Sequence, residues 1–174
     1  MSKTQKSKSD ITYEGKVKVQ LYHGKKVYKT IKEKNKGVWP LFNFFINCLM
    51  GNYYDAQRPM YLRVYNVNAE AYIAGEEGNI SERDEVTTTA IPVRKVTAKP
   101  AADGDAQASA IFEFLIPAAT LTDNGSGNLL VLFSTENRNM VSKPSAEVLL
   151  ETPITKESGT SNIKVEWELV IGNK

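Results

Sequence analysis

Five apolar residues near the C-terminus, Ile163, Val165, Trp167, Leu169 and Ile171, fall at every second position, and Lys164, Glu166 and Glu168 occupy places between them. Side chains of an extended strand point alternately to opposite faces, so this spacing sends the apolar set to a core and the charged set to solvent. A helix would scatter the same residues around its circumference. The chain is therefore committed to a sheet with one covered face and one wet face.

Other segments repeat the pattern. Val17, Val19 and Leu21 alternate with Lys16, Lys18 and Gln20, His23-Gly24-Lys25 reads as a turn, and Val27 to Ile31 reads as the returning strand of a lysine-coated hairpin. Met60 to Val67 forms a further strand. The β-branched stretch 86–98 is extended and lies near an edge, since Pro92 and Pro100 cannot donate to a ladder. Ala108, Ala110, Phe112, Phe114 and Ile116 alternate up to Pro117. Asp123 to Gly127 turns the chain into Leu129–Phe133, a continuous apolar run of the kind found in core strands. One helix is expected, Pro40 to Met50, with Leu41, Phe44, Phe45, Cys48 and Leu49 on one face, Pro40 at its first position and Gly51 as its cap. Phe42 and Ile46 lie off that stripe, which points to a second apolar contact, another subunit among the possibilities.

Seven to nine strands, polar connections and one short α-helix predict a mainly β chain, an antiparallel β-sandwich or jelly-roll-like domain. At 174 residues and 19.4 kDa one core suffices, so a single domain over 11–174 is expected behind a flexible basic arm, residues 1–10, which has no residue able to anchor it. Loops at 68–85, 99–106 and 134–145 are the expected projections, and no internal repeat is visible. No apolar stretch follows the lysine-rich start and no window is apolar enough to span a bilayer, so the expected product is soluble and made in a cytoplasm.

The residues exclude most chemistry. One histidine, His23, and one cysteine, Cys48, in different elements cannot supply a zinc or iron site, and the lone cysteine cannot form an intrachain disulfide. Asp103-Gly104-Asp105 and Asp123-Asn124-Gly125 lack the closing glutamate of a calcium loop and read as turns. No nucleophile motif accompanies His23, and neither Gly75 nor Gly78 begins a phosphate-binding loop. Glu76 and Glu77, or Glu166 and Glu168, are carboxylate pairs, but the latter alternate with core residues and read as a solvent face. The expectation is no cofactor, no metal and no catalytic residue.

Charge is unevenly spread. Residues 1–36 carry eleven lysines against Asp10, Glu14 and Glu33, a balance of +8 in a chain whose total is +2. Such a section meets nucleic acid, meets the acidic surface of a neighbouring subunit, or merely solubilises a tip and a hairpin edge. Lys16, Lys18, Lys25, Lys26, Lys29, Lys32, Lys34 and Lys36 with Tyr22 and Tyr28 between them could form a stacking stripe for a nucleic acid. The stripe has no arginine, so only salt-sensitive, non-specific contacts would follow. A carbohydrate is the other ligand such exposed aromatics could take. Trp39, Tyr53 and Tyr54, at the ends of the expected helix, are candidate subunit contacts.

The stretch from Gly37 through Leu41-Phe42-Asn43-Phe44-Phe45-Ile46-Asn47-Cys48-Leu49-Met50-Gly51-Asn52-Tyr53 to Arg58-Pro59, with the closing Val165–Asn173, resembles small virion proteins of tailed bacteriophages, particularly the crAss-like phages of gut bacteria. The resemblance covers both ends of the chain and leaves 68–160 unmatched. It implies a non-enzymatic particle component present in many copies, whose partners are other virion proteins. An auxiliary capsid or decoration protein comes first, and a head-fibre, collar or tail component second. On that reading the arm, with Lys3, Lys6 and Lys8, docks on an acidic neighbouring subunit.

Overall fold

The computed structural model describes residues 11–35, 60–72, 85–99, 107–122, 125–133 and 146–173. Among these are nine strands: β1 (Ile11–His23), β2 (Lys26–Asn35), β3 (Tyr61–Tyr65), β4 (Ile91–Pro92), β5 (Lys95–Lys99), β6 (Gln107–Pro117), β7 (Ser126–Phe133), β8 (Ala146–Thr155) and β9 (Thr160–Asn173). They form a five-stranded sheet, order β2-β1-β9-β6-β5, and a four-stranded sheet, order β4-β3-β7-β8. Every pairing is antiparallel.

Alternation and register together build the core. On the five-stranded sheet β9 is central, and three rungs cross it in the order β1, β9, β6: Val17-Trp167-Phe112, Val19-Val165-Phe114 and Leu21-Ile163-Ile116. The facing sheet answers with Leu62-Leu132-Ala146 and Val64-Leu130-Val148 across β3, β7 and β8. All of these side chains are buried and belong to one cluster, which makes the fold a β-sandwich.

The sandwich closes at both margins. Ile91 and Pro92 pair with β3, Val93 donates to the Met60 carbonyl at 2.7 Å, and Arg94 then donates to the Glu113 carbonyl at 2.8 Å. One extended stretch thus leaves the four-stranded sheet and enters the five-stranded one as the edge strand β5, consistent with the edge expected from Pro92. At the other margin the Lys29 ammonium reaches the Pro153 carbonyl at 3.4 Å, and the Glu151 amide donates to the Glu33 carboxylate at 3.3 Å.

The hairpin of β1 and β2 turns at Gly24, whose φ of +58° suits a residue without a β-carbon. Among the described residues the only helical turn is a 3-10 turn at Ala118–Thr120. The helix expected at Pro40–Met50 and the basic arm 1–10 lie outside the described residues, and so do Cys48, Lys3, Lys6, Lys8, Trp39, Tyr53 and Tyr54. No helix among the described residues is long and apolar enough to cross a membrane.

β8 is the strand that sequence reading did not anticipate. Val148, Leu150 and Ile154 face the core, but Glu147 is buried as well and Thr152-Pro153 interrupts the period.

Candidate docking surface

The side chains that alternate with the core rungs emerge on the outer face of the five-stranded sheet. Register sets them in rows running from β2 through β1 and β9 to β6. One row reads Lys34, Lys16, Glu168, Ile111, and the next Lys32, Lys18, Glu166, Glu113. A third carries Thr30, Gln20, Lys164, Leu115. The β1–β2 hairpin therefore holds a block of four lysines, and β9 with β6 holds a block of three carboxylates beside it. Ten residues of these strands, Lys16, Lys18, Lys32, Lys34, Glu113, Glu166, Glu168 and Ile111 among them, line a groove of about 660 Å³.

Part of the charge is balanced within the face. Lys18 lies 3.1 Å from Glu166, Lys34 lies 2.9 Å from Glu14, and Lys99 lies 3.5 Å from Glu168, which also accepts from the Ser109 hydroxyl at 2.8 Å. Lys164 donates to Glu166 at 2.6 Å and reaches Glu113 at 3.1 Å. The Lys164 hydrogen bond holds the Glu166 carboxyl below its ordinary value against the opposing pull of burial, and the same bond raises the Lys164 ammonium. Among the described residues Lys16 and Lys32 have no ion-pair partner. Like charges also stand directly opposite one another in register: Lys16 faces Lys34, Lys18 faces Lys32, and Glu113 faces Glu166. Such pairs destabilise a sheet.

Of the expected nucleic-acid stripe, Lys16, Lys18, Lys32 and Lys34 meet on this face. Lys25 and Lys26 sit exposed at the hairpin end, Lys29 turns to the sandwich margin, and Lys36 lies outside the described residues. Tyr28 is not free to stack on a base. Its ring lies 3.9 Å from that of His23 and its hydroxyl is 2.9 Å from the Thr160 hydroxyl. Tyr22 is half-buried. Glu166 and Glu168 stand on the outer face, as their alternation predicts.

The four-stranded sheet carries a second polar group on its own outer face. Arg63 donates to Glu85 at 2.7 Å with both side chains almost fully buried, and the Thr87 hydroxyl donates to the same Glu85 oxygen at 3.0 Å. Arg63, Val131 and Glu147 share a row across β3, β7 and β8, and the Tyr72 hydroxyl donates to Glu147. Burial, with the Glu147 contact second, pushes the Tyr72 phenol far above its ordinary value. Leu129, Val131 and Tyr65 surround this group as a small second core. These residues tie the segment after β3 onto the sheet and so act structurally. A charged residue inside an apolar run, Arg63 in Tyr61–Tyr65 and Glu147 before Val148-Leu149-Leu150, was the signal available in the sequence.

Among the described residues no group of three histidine, cysteine, aspartate or glutamate side chains is arranged to hold a metal ion. Comparison with protein-family models, with curated proteins and with solved structures returned no match.

Proposed function

We propose that this chain is a non-enzymatic structural subunit of a tailed-phage virion, an auxiliary capsid or decoration protein that works by docking on neighbouring subunits. The observation that carries the docking reading is the outer face of the five-stranded sheet, where four lysines adjoin three carboxylates around a groove. Setting like charges on adjacent strands costs stability in an isolated sheet, and a neighbour of opposite charge relieves that cost. The particle is supplied by the resemblance of 37–59 and 165–173 to small virion proteins. A decoration role suits a chain whose first 36 residues hold a balance of +8, since that section can engage an acidic shell. A nucleic-acid module is less well supported, because Lys18 and Lys34 are paired with carboxylates and Tyr28 is engaged.

The test is co-sedimentation of the purified chain with capsids of a crAss-like phage and, separately, with its tails. Pelleting with capsids at low salt, and release as salt is raised, is the expected result. Pelleting with tails alone would move the protein to the tail or collar. A chain that stays in the supernatant with both, yet shifts duplex or single-stranded DNA in a gel, would overturn the virion reading.

A further inference from the structure

The two charged blocks are arranged with opposite sign about a line. Along the row Lys32, Lys18, Glu166, Glu113 the signs read plus, plus, minus, minus, and along Lys34, Lys16, Glu168, Ile111 they read plus, plus, minus, neutral. In both rows the sign changes between β1 and β9. A half-turn about an axis lying on the face along that line, parallel to the strands, places the second copy's face against the first. It brings β1 over the partner's β9 and β2 over the partner's β6. Because the axis runs along the strands, each row meets its own equivalent. Lys16 comes opposite Glu168 of the second copy, Lys18 opposite Glu166, and Lys32 opposite Glu113. Lys34 comes opposite Ile111, whose half-buried side chain its methylene stem can cover.

From this pattern we infer that the outer face of the five-stranded sheet is one half of a two-fold interface between two copies of this chain. The inference deepens the docking reading above by naming its first occupant, and it rests on that reading. An isologous contact requires a surface complementary to itself, and the charges of these two rows have that property, while the third row sets Lys164 over the neutral Gln20 of the second copy. The charges also choose the operator. A half-turn about an axis across the strands would set the lysine block against its own copy, so repulsion excludes it. Aligned sheets pack about 10 Å apart, a gap that two layers of lysine and glutamate side chains fill. Of the like-charged neighbours, Lys16, Lys18, Lys32, Glu113 and Glu166 then each gain opposite charge from above, while Lys34 meets the neutral Ile111. Lys16 and Lys32, which have no ion-pair partner among the described residues, gain their first.

The experiment is sedimentation of the full chain and of two charge-reversed variants, Lys16→Glu/Lys32→Glu and Glu113→Lys/Glu168→Lys. The wild type is expected to dimerise, with a dissociation constant that rises on the order of tenfold between about 0.05 M and about 0.5 M salt. Each variant alone sets like charges together at two of the three ion pairs on each side of the axis, and is expected to be monomeric. Mixed in equal amounts, the two variants restore opposite charge at every one of these contacts and are expected to form a heterodimer. A wild type that is monomeric at low salt overturns the inference. So do variants that dimerise as the wild type does, and so does a mixture that stays monomeric although both variants keep the wild-type circular dichroism. The wild-type salt titration decides the matter if a variant fails to fold: a dimer insensitive to salt is not this one. A monomer that still pellets with capsids would sink the two-fold alone, and a salt-sensitive dimer that binds no particle would sink the virion reading alone.

Discussion

Lys18 on β1 and Glu166 on β9 stand directly opposite one another, ammonium to carboxylate at 3.1 Å, on the line where the basic half of the sheet face meets the acidic half. Their side chains remain 39% and 28% exposed, so water screens the pair and its contribution to stability stays below about 1 kcal/mol. The same holds for Lys34 with Glu14 and Lys99 with Glu168, both of whose lysines are more exposed still. These charges do little to hold the sandwich together, which is carried by the buried rungs beneath them. On the proposed docking reading, their arrangement answers to what the face meets.

Glu166 should give the face a small acid-side dependence. Its folded carboxyl lies below the ordinary value, chiefly because Lys164 donates to it. A depressed carboxylate contributes stability that is present above its unfolded value and is lost as pH falls through its folded value. Urea melts of wild type and Glu166→Gln should therefore differ most near neutral pH, with the variant less stable by under about 1 kcal/mol. The two should converge in acid. A gap that widens as pH falls would show that Glu166 is not the group held down by Lys164.

The buried pair of Arg63 and Glu85 behaves differently. With side chains only 6% and 2% exposed, removal of one partner leaves a charge in a dry place. Arg63→Met should cost about 3 kcal/mol, at the lower end of what breaking a buried pair costs. Arg63→Met/Glu85→Gln should recover part of that loss, because no uncompensated charge then remains. Thermal melts of the three proteins measure the coupling, and equal losses in single and double variants would mean that the pair is not what stabilises the β3 segment.

The strands that were legible in the sequence are those with one clean period. β1, β6 and β9 alternate because one of their faces is wet, and β7 reads as a continuous run because Leu129, Leu130, Val131 and Leu132 are all buried, on both faces. β8 carries no such clean period because it mixes the two regimes. Ala146 to Val148 are buried on both faces, whereas Glu151 to Pro153 are exposed. The lysine block was visible because its members are near neighbours in the chain. Glu166 and Glu168 were legible as a solvent-facing pair, but their place beside the lysines was not, since Lys18 and Glu166 are 148 residues apart and only the placement of β9 beside β1 joins them. Register is a property of the assembled sheet, and a local charge run cannot report it.

Tyr72 should govern part of the alkaline limb of stability. Burial and the hydrogen bond to Glu147 raise its folded phenol well above the ordinary 10.0. A group whose folded value is raised contributes stability that is fully present below its unfolded value and lost as pH rises toward the folded one. Wild type should therefore lose stability from about pH 10 upward, where unfolded tyrosine ionises and the folded phenol does not. Tyr72→Phe should start lower, by about 1 to 2 kcal/mol for the lost charged hydrogen bond, and should fall less steeply over the same interval. Denaturant melts between neutral pH and pH 11 distinguish the slopes, and parallel curves would assign the alkaline loss to Lys164 and the other titrating groups instead.

Gly127 is fixed by packing rather than by backbone freedom. It lies in β7, opposite Ile154 and beside a register shift, and a β-carbon built there would come 2.3 Å from Cγ1 of Val64 in the core. Real side-chain carbons do not approach so closely, so Gly127→Ala must displace Val64, which is itself fully buried on β3. Overpacking of this kind costs about 1 to 3 kcal/mol. Val64→Ala alone should also destabilise, by about 2 kcal/mol, through the cavity it leaves. If the two residues meet as described, the double variant Gly127→Ala/Val64→Ala places the new methyl in the space that the valine vacates. Its loss should then fall short of the sum of the single losses by at least about 1 kcal/mol. Strict additivity in chemical denaturation would mean that β7 absorbs the added methyl by moving its backbone at the register shift, and that the close approach of β7 to Val64 is not what selects glycine at position 127.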